Sequence, residues 1–170
     1  MRILLSAANF CDDPYMVYPL GMSIVAAALE RAGHTVRQFD PLAAGGLAHY
    51  RAALTAALAE FQPELIGVSL RNLDNVDSRT VDCALLGEST ALIRTIRAAA
   101  PGVPVMLGGP AFTLYPEALL ELTGCEYGVS GEGEAAVVLL AAELAAGRKP
   151  SPGTDASDRR QVTLEARSHG

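Results

Sequence analysis

Residues 64–75 read ELIGVSLRNLDN, an apolar run that passes directly into a polar segment. Strands that are almost wholly apolar are typical of parallel sheets, which are covered on both faces. Two further strand-like runs end in glycine-rich segments, GGP at residues 108–110 and GEGE at residues 131–134. Because ligands of open α/β sheets bind beyond the carboxyl ends of the strands, these three segments predict a ligand site at one edge of the sheet.

The rest of the chain alternates strand patterns with helix patterns. We predict five strands, at residues 2–7, 35–39, 64–70, 103–107 and 126–130, and helices at about residues 19–33, 47–61, 84–100, 116–122 and 134–146. This alternation, together with right-handed crossovers, favours an α/β fold with a doubly wound, flavodoxin-like parallel sheet of order 2-1-3-4-5. In this order the direction of winding reverses between strands one and three.

One domain accounts for most of the chain. The sequence has 170 residues, half of them apolar, which is enough for one full core. We place this domain at residues 1–147. From Arg148 the composition changes to Pro, Ser, Gly, Asp and Arg without apolar periodicity, and residues 148–170 are therefore interpreted as a linker or disordered tail.

The charge and the isolated thiols exclude several classes of function. The net charge is −6 and Lys149 is the one lysine, so the clustered cations that bind nucleic acid or an anionic membrane are missing. No apolar run reaches the roughly 20 residues of a membrane span, and we expect a cytoplasmic protein. Cys11, Cys83 and Cys125 form no CxxC pair. We predict neither a metal site nor a catalytic residue in this chain.

Polar side chains directly follow the third strand. Ser69, Arg71, Asn72 and Asp74 offer several donors and acceptors, which suits a ligand rich in amide groups. The alternative is a turn in which the Asn and Asp side chains bond their own backbone.

Glycines follow the fourth and fifth strands. Gly108 and Gly109 permit a close backbone approach at the sheet edge, or simply a tight turn into Pro110. Residues 131–136 match the GxGxxA pattern of dinucleotide-binding proteins, but that pattern belongs after the first strand. Glu132 also disfavours a pyrophosphate, so a nucleotide at this turn is kept as an alternative.

Taken in their order and spacing, four segments resemble the cobalamin-binding domain at the amino terminus of cobalamin-dependent radical S-adenosylmethionine enzymes. They are YPLG at residues 18–21, GVSLRNLDN at 67–75, GGP at 108–110 and GVSGEGE at 128–134. The similarity covers about residues 1–147. The wider family carries DxHxxG, SxL and GG after its first, third and fourth strands, and only Ser69, Gly108 and Gly109 match those positions here.

The resemblance implies a particular mode of cobalamin binding. No histidine lies between Ala7 and Tyr18, so cobalt is expected to lack a protein histidine ligand, with the benzimidazole tail displaced into the sheet edge. Arg71 is expected nearest the lower side of cobalt. The cofactor-binding residues that follow from the resemblance are Ser69, Leu70, Arg71, Asn72, Asp74, Gly108, Gly109, Pro110, Gly131, Glu132 and Gly133.

The resemblance also implies a catalytic partner. Radical enzymes of this kind hold an iron-sulfur cluster through CxxxCxxC, which this chain lacks. The cluster and S-adenosylmethionine are then expected in a catalytic domain, either in the same polypeptide or in a separate one. We therefore expect the cofactor domain of a radical S-adenosylmethionine methyltransferase or a related radical enzyme. The alternatives are a nucleotide-binding domain and a non-catalytic interaction domain of the same fold.

Overall fold

The computed structural model describes residues 1–10, 16–73, 84–150 and 163–166. Helices and strands alternate along most of the chain. The elements are β1 (Arg2–Ala7), α1 (Leu20–Arg31), β2 (Thr35–Phe39), α2 (Gly46–Phe61), β3 (Leu65–Ser69), α3 (Ala84–Ala99), β4 (Val105–Gly108), α4 (Pro110–Leu114), α5 (Pro116–Thr123), β5 (Tyr127–Ser130), α6 (Glu134–Ala145) and β6 (Thr163–Ala166).

The six strands form one sheet of order β2-β1-β3-β4-β5-β6. The first five strands in this order pair in parallel, which confirms the predicted order 2-1-3-4-5. The winding direction reverses next to β1, which lies between β2 and β3. The carboxyl ends of β3, β4 and β5 therefore lie side by side, as the glycine-rich and polar segments indicated.

Two elements were not predicted. β6 lies within residues 148–170, which we interpreted as a linker or disordered tail, and it pairs antiparallel with β5, with Thr163 opposite Ser130. The helix α4 begins at Pro110, where only a turn was expected. Both elements are four or five residues long, which is too short for hydrophobic periodicity to reveal them.

The sheet has two differently packed faces. On the first, which we call the packed face, helices α2 to α5 cover a core that includes the fully buried rings of Tyr50 and Phe112. On the second, which we call the cleft face, α1 and α6 cover a core with smaller residues such as Ala26 and Ala141. Ile66 of β3 belongs to the core of the packed face. Because successive strand residues alternate between faces, the next residue, Gly67, lies on the cleft face.

Among the described residues, no helix is both long and apolar enough to cross a bilayer.

Candidate functional site

A cleft of about 280 Å³ opens on the cleft face, beside the carboxyl ends of β3, β4 and β5. Its floor is formed by Leu5, Gly67 and Met106 on three neighbouring strands. The helices α1 and α6 form its walls, and the segments after β4 and β5 form its rim. The cleft therefore lies where the strand order predicted a ligand.

The floor of the cleft contains a glycine, Gly67, in the middle of β3. A Cβ atom added to Gly67 would lie 2.7 Å from Leu5 Cδ2 and 3.0 Å from Met106 Cε. Any larger residue here would displace the ends of those two side chains, which also line the cleft. Gly67 was not among the predicted site residues, although a glycine inside an apolar strand is a known sign of a close approach.

Backbone contacts join the ends of β3 and β4. The Leu70 N–H donates to the Gly108 carbonyl oxygen at 2.7 Å, and the Leu70 carbonyl accepts the Ala111 N–H at 3.1 Å. Gly109 has φ of +96°, and an added Cβ would lie 2.6 Å from the Leu70 oxygen. The predicted close approach at the glycine pair is thus an approach of β3 to the start of α4.

A side chain joins the ends of β4 and β5. The Thr113 hydroxyl donates to the Gly109 carbonyl oxygen at 3.1 Å and accepts the Gly131 N–H at 3.0 Å. Thr113 lines the cleft. Sequence analysis missed it, because it lies on the short helix α4, which was not predicted.

Two carboxylates line the mouth of the cleft. Glu132 lies in the segment between β5 and α6, and Glu134 is the first residue of α6. Glu134 occupies the first turn of α6, where a negative charge interacts favourably with the helix dipole. The carboxylates also make this side of the cleft unfavourable for terminal phosphates.

The described residues contain no group of three or more His, Cys, Asp or Glu that could hold a metal ion. Cys125 is fully buried, and this burial raises the pKa of its thiol. It therefore stays a neutral thiol at the amino end of β5.

Most of the predicted site residues line this cleft. They are Ser69, Gly108, Gly109, Pro110, Gly131, Glu132 and Gly133. Leu70 instead buries its side chain in the packed face and contributes backbone contacts. Arg71 is exposed and Asn72 is half-buried at the end of β3, and neither lines the cleft. Asp74 lies outside the described residues.

The residues expected for two different ligands meet in one place. In the sequence, Ser69, Gly108 and Gly109 match the wider cobalamin-binding family, and the turn with Gly131 and Gly133 is where a nucleotide was kept as the alternative ligand. All five residues line the same cleft. Substituting one set or the other therefore does not distinguish the two ligands, and direct binding measurements are needed.

Three comparisons relate the chain to known proteins. A family model described as the B12 binding domain matches residues 12–141. The chain is 32% identical over 134 residues to tryptophan 2-C-methyltransferase of Streptomyces laurentii. This alignment covers 78% of this chain and 21% of that protein.

Two structures of the radical S-adenosylmethionine methyltransferase TsrM from Kitasatospora setae have a TM-score of 0.77 to this chain. Their sequences are 31% and 32% identical to it, and the matches cover 87% of this chain and 26% and 25% of TsrM. One structure holds tryptophan and a S-adenosylmethionine analogue, and the other holds cobalamin and an iron-sulfur cluster. The chain spans about a quarter of the length of these relatives.

Proposed function

The chain belongs to the B12-binding domain family, and from this premise we propose that it binds cobalamin base-off in the cleft, as the cofactor domain of a radical S-adenosylmethionine methyltransferase or a related radical enzyme. The observation that carries the proposal is the apolar cleft with Gly67 at its floor. The proposal includes a catalytic domain, in the same polypeptide or another, that supplies the iron-sulfur cluster and S-adenosylmethionine.

The size of the cleft suits one part of cobalamin. Pockets that enclose whole drug-sized ligands have volumes of about 300–1,000 Å³, and this cleft measures about 280 Å³. It is large enough for the flat benzimidazole tail and too small for the corrin ring. We infer that the tail enters between α1 and α6 above Gly67, while the corrin lies outside, over the strand ends.

Different residues around the cleft are proposed to contact the apolar and the polar parts of the tail. Met22, Val25 and Val137 present apolar surface from α1 and α6 and exclude water from an aromatic tail. Ser69 brings a hydroxyl group to the rim, where it can bond the polar parts of the tail. Bound cobalamin supplies a cobalt centre that carries a methyl group, and the protein contributes binding and orientation.

Arg71 and Asn72 remain the proposed contacts of the corrin. Both follow β3 directly and lie outside the cleft, which is where the corrin is proposed to lie. The guanidinium group of Arg71 carries donors that suit the amide arms of the ring.

Exposed apolar side chains support a covering partner. Tyr18, Leu20, Leu114 and Tyr115 are each 59–71% exposed. Leu20 precedes a cleft residue in α1, and Leu114 follows Thr113 in α4. Exposed apolar side chains on elements that line the cleft suit an interaction site, and we propose that the catalytic domain covers them.

A nucleotide is the less favoured ligand. Its phosphates would lie at the Gly131 turn, beside the carboxylates of Glu132 and Glu134. These charges oppose phosphate binding at the start of α6.

The proposal is tested by mixing the purified protein with hydroxocobalamin, removing the excess by gel filtration and recording the visible spectrum. The cleft variant is Gly21→Leu in α1, with Gly87→Leu in α3 as the matched control. Both glycines lie in helices, and a Cβ added to either meets no atom within 4 Å. Only Gly21 lines the cleft.

We expect the wild type and Gly87→Leu to retain cobalamin with a base-off spectrum. Gly21→Leu should weaken binding about tenfold or more, because it adds a bulky side chain at a position that lines the cleft. Both variants should fold at least as stably as the wild type, since leucine favours a helix more than glycine does. No retained cobalamin in the wild type, or tighter binding of ATP or NAD than of cobalamin, would overturn the proposal.

A further inference from the structure

We propose that Thr113 is a positioning residue that holds the β4 and β5 ends at the separation the cofactor tail requires. The inference deepens the proposed function and rests on it. Thr113 lies on α4, between the glycine pair after β4 and the Gly131 turn after β5. It bonds both segments through one hydroxyl group.

The two pairs of strand ends around the cleft are joined differently. Parallel pairing between β3 and β4 continues to Ser69 and Gly108, the last residues of both strands. Parallel pairing between β4 and β5 extends only to Leu107 and Gly128. On its other edge β5 pairs with β6 along its whole length, from Tyr127 to Ser130. The backbone pairing of β4 with β5 therefore stops one residue before the end of β4 and two residues before the end of β5.

The Thr113 hydroxyl connects the segment after β4 with the segment after β5, because it acts as a donor to one and as an acceptor from the other. Its proton is donated to the Gly109 carbonyl oxygen, and its lone pair accepts the N–H of Gly131, 18 residues away in sequence. A hydroxyl group can do both at once. Gly131 has φ of +82°, and its bond to Thr113 fixes this turn relative to α4.

Core packing fixes the position of α4 itself. The neighbouring Phe112 is fully buried, and its ring lies against Gly128, where an added Cβ would approach within 2.1 Å. Phe112 thus holds α4 on β5, while Thr113 faces the cleft. The hydroxyl is therefore placed by the fold before any ligand binds.

This arrangement has a consequence for binding. Gly109, Thr113 and Gly131 all line the cleft, so a change in their separation changes its width. A preorganised cleft binds more tightly than one that must be ordered on binding. Losing the hydroxyl should therefore weaken cofactor binding without removing any apolar surface.

The test compares Thr113→Val, which removes the hydroxyl but keeps the shape, with Thr113→Ser, which restores it. Thr123→Val is the matched control. The Thr123 hydroxyl also donates to the carbonyl four residues earlier, Leu119, at 2.6 Å and accepts the N–H of Cys125 at 3.3 Å. It lies in α5, at the amino end of β5, and does not line the cleft.

Two quantities are measured in each protein: amide hydrogen exchange at Gly131 without ligand, and the Kd for hydroxocobalamin. In Thr113→Val we expect exchange at Gly131 to be faster, and the Kd weaker, by roughly three- to tenfold, the range expected for one ordinary hydrogen bond. Thr113→Ser should recover both, and Thr123→Val should change neither.

Unchanged exchange at Gly131 in Thr113→Val overturns the proposal, even if affinity falls, because the hydroxyl would then act by touching the ligand. Faster exchange with unchanged affinity overturns the link between loop position and binding. If the wild type binds no cobalamin, the proposed function fails, while the exchange data still decide whether Thr113 holds the two segments.

Discussion

Gly67 and Gly128 are both buried glycines in parallel strands, and the two faces of the sheet use them differently. On the packed face, the Phe112 ring fills the space beside Gly128, 2.1 Å from the position of an added Cβ. On the cleft face, Gly67 faces only the ends of Leu5 and Met106 and lies at the floor of the cleft.

The difference shows how one residue type serves stability on one face and binding on the other. A missing side chain that an aromatic ring fills adds to close packing. The missing side chain of Gly67 lets the ends of Leu5 and Met106, which also line the cleft, lie close to the strand. Both are glycines inside apolar strands. Their roles differ because different side chains lie against them, the Phe112 ring at Gly128 and the ends of Leu5 and Met106 at Gly67.

The largest effect is expected for Gly128→Ala. The new methyl group would overlap the Phe112 ring, and overpacking of a core costs about 1–3 kcal/mol. The free energy of unfolding, measured by denaturant titration, should fall by about that amount.

Phe112→Leu provides the control for that prediction. In the double variant Gly128→Ala with Phe112→Leu, the cost of the added methyl group should be smaller than in the Gly128→Ala single variant. Equal cost in both backgrounds would mean that the ring is not what fills the space, and the comparison of the two faces would fail.

Gly67→Ala is expected to affect binding more than stability. The added Cβ meets the flexible ends of Leu5 and Met106, which can move at little cost toward the cleft. The free energy of unfolding should change by less than about 1 kcal/mol, because alanine also lowers the entropy of the unfolded chain. The Kd for hydroxocobalamin should weaken on the order of tenfold, about 1.4 kcal/mol.

That result is checked by titrating hydroxocobalamin and by denaturant unfolding of the same preparation. A loss of stability as large as in Gly128→Ala, or unchanged affinity, would show that the two glycines do not differ as proposed.

The smallest effect is expected at the amino edge of the sheet, away from both faces. The Glu64 carboxylate accepts the Arg2 backbone N–H at 2.7 Å, and this bond lowers the pKa of Glu64. A carboxyl group with a lowered folded-state pKa stabilises the fold above its unfolded pKa. That stabilisation is lost as the pH falls through the folded-state value.

Glu64→Gln should therefore lose a little stability at pH 7 and show a smaller stability difference than the wild type between pH 7 and pH 3. Denaturant unfolding at the two pH values measures this. Cobalamin affinity at pH 7 should stay unchanged, since Glu64 precedes β3 and the cleft lies at the carboxyl ends. An altered affinity would show that the cleft senses the opposite edge of the sheet.

Much of the site could be predicted from local sequence. The apolar run before Ser69 and the glycines at residues 108, 109, 131 and 133 indicated the edge of the sheet where the cleft lies, because each marks a strand end. The role of Leu70 could not be predicted from the sequence. Its side chain enters the packed face while its carbonyl group approaches Gly109, and both contacts depend on tertiary packing.

By itself, the sequence determined the five parallel strands, their order and the edge that carries the cleft. Those features follow from hydrophobic periodicity and chain handedness, which are encoded over a few neighbouring residues. Only the tertiary structure decided that Gly67 lies in the floor of a cleft while Gly128 receives a ring, and that Thr113 joins two strand ends. These facts depend on packing between segments distant in sequence, where an atom's neighbour is set by the way helices cross the sheet.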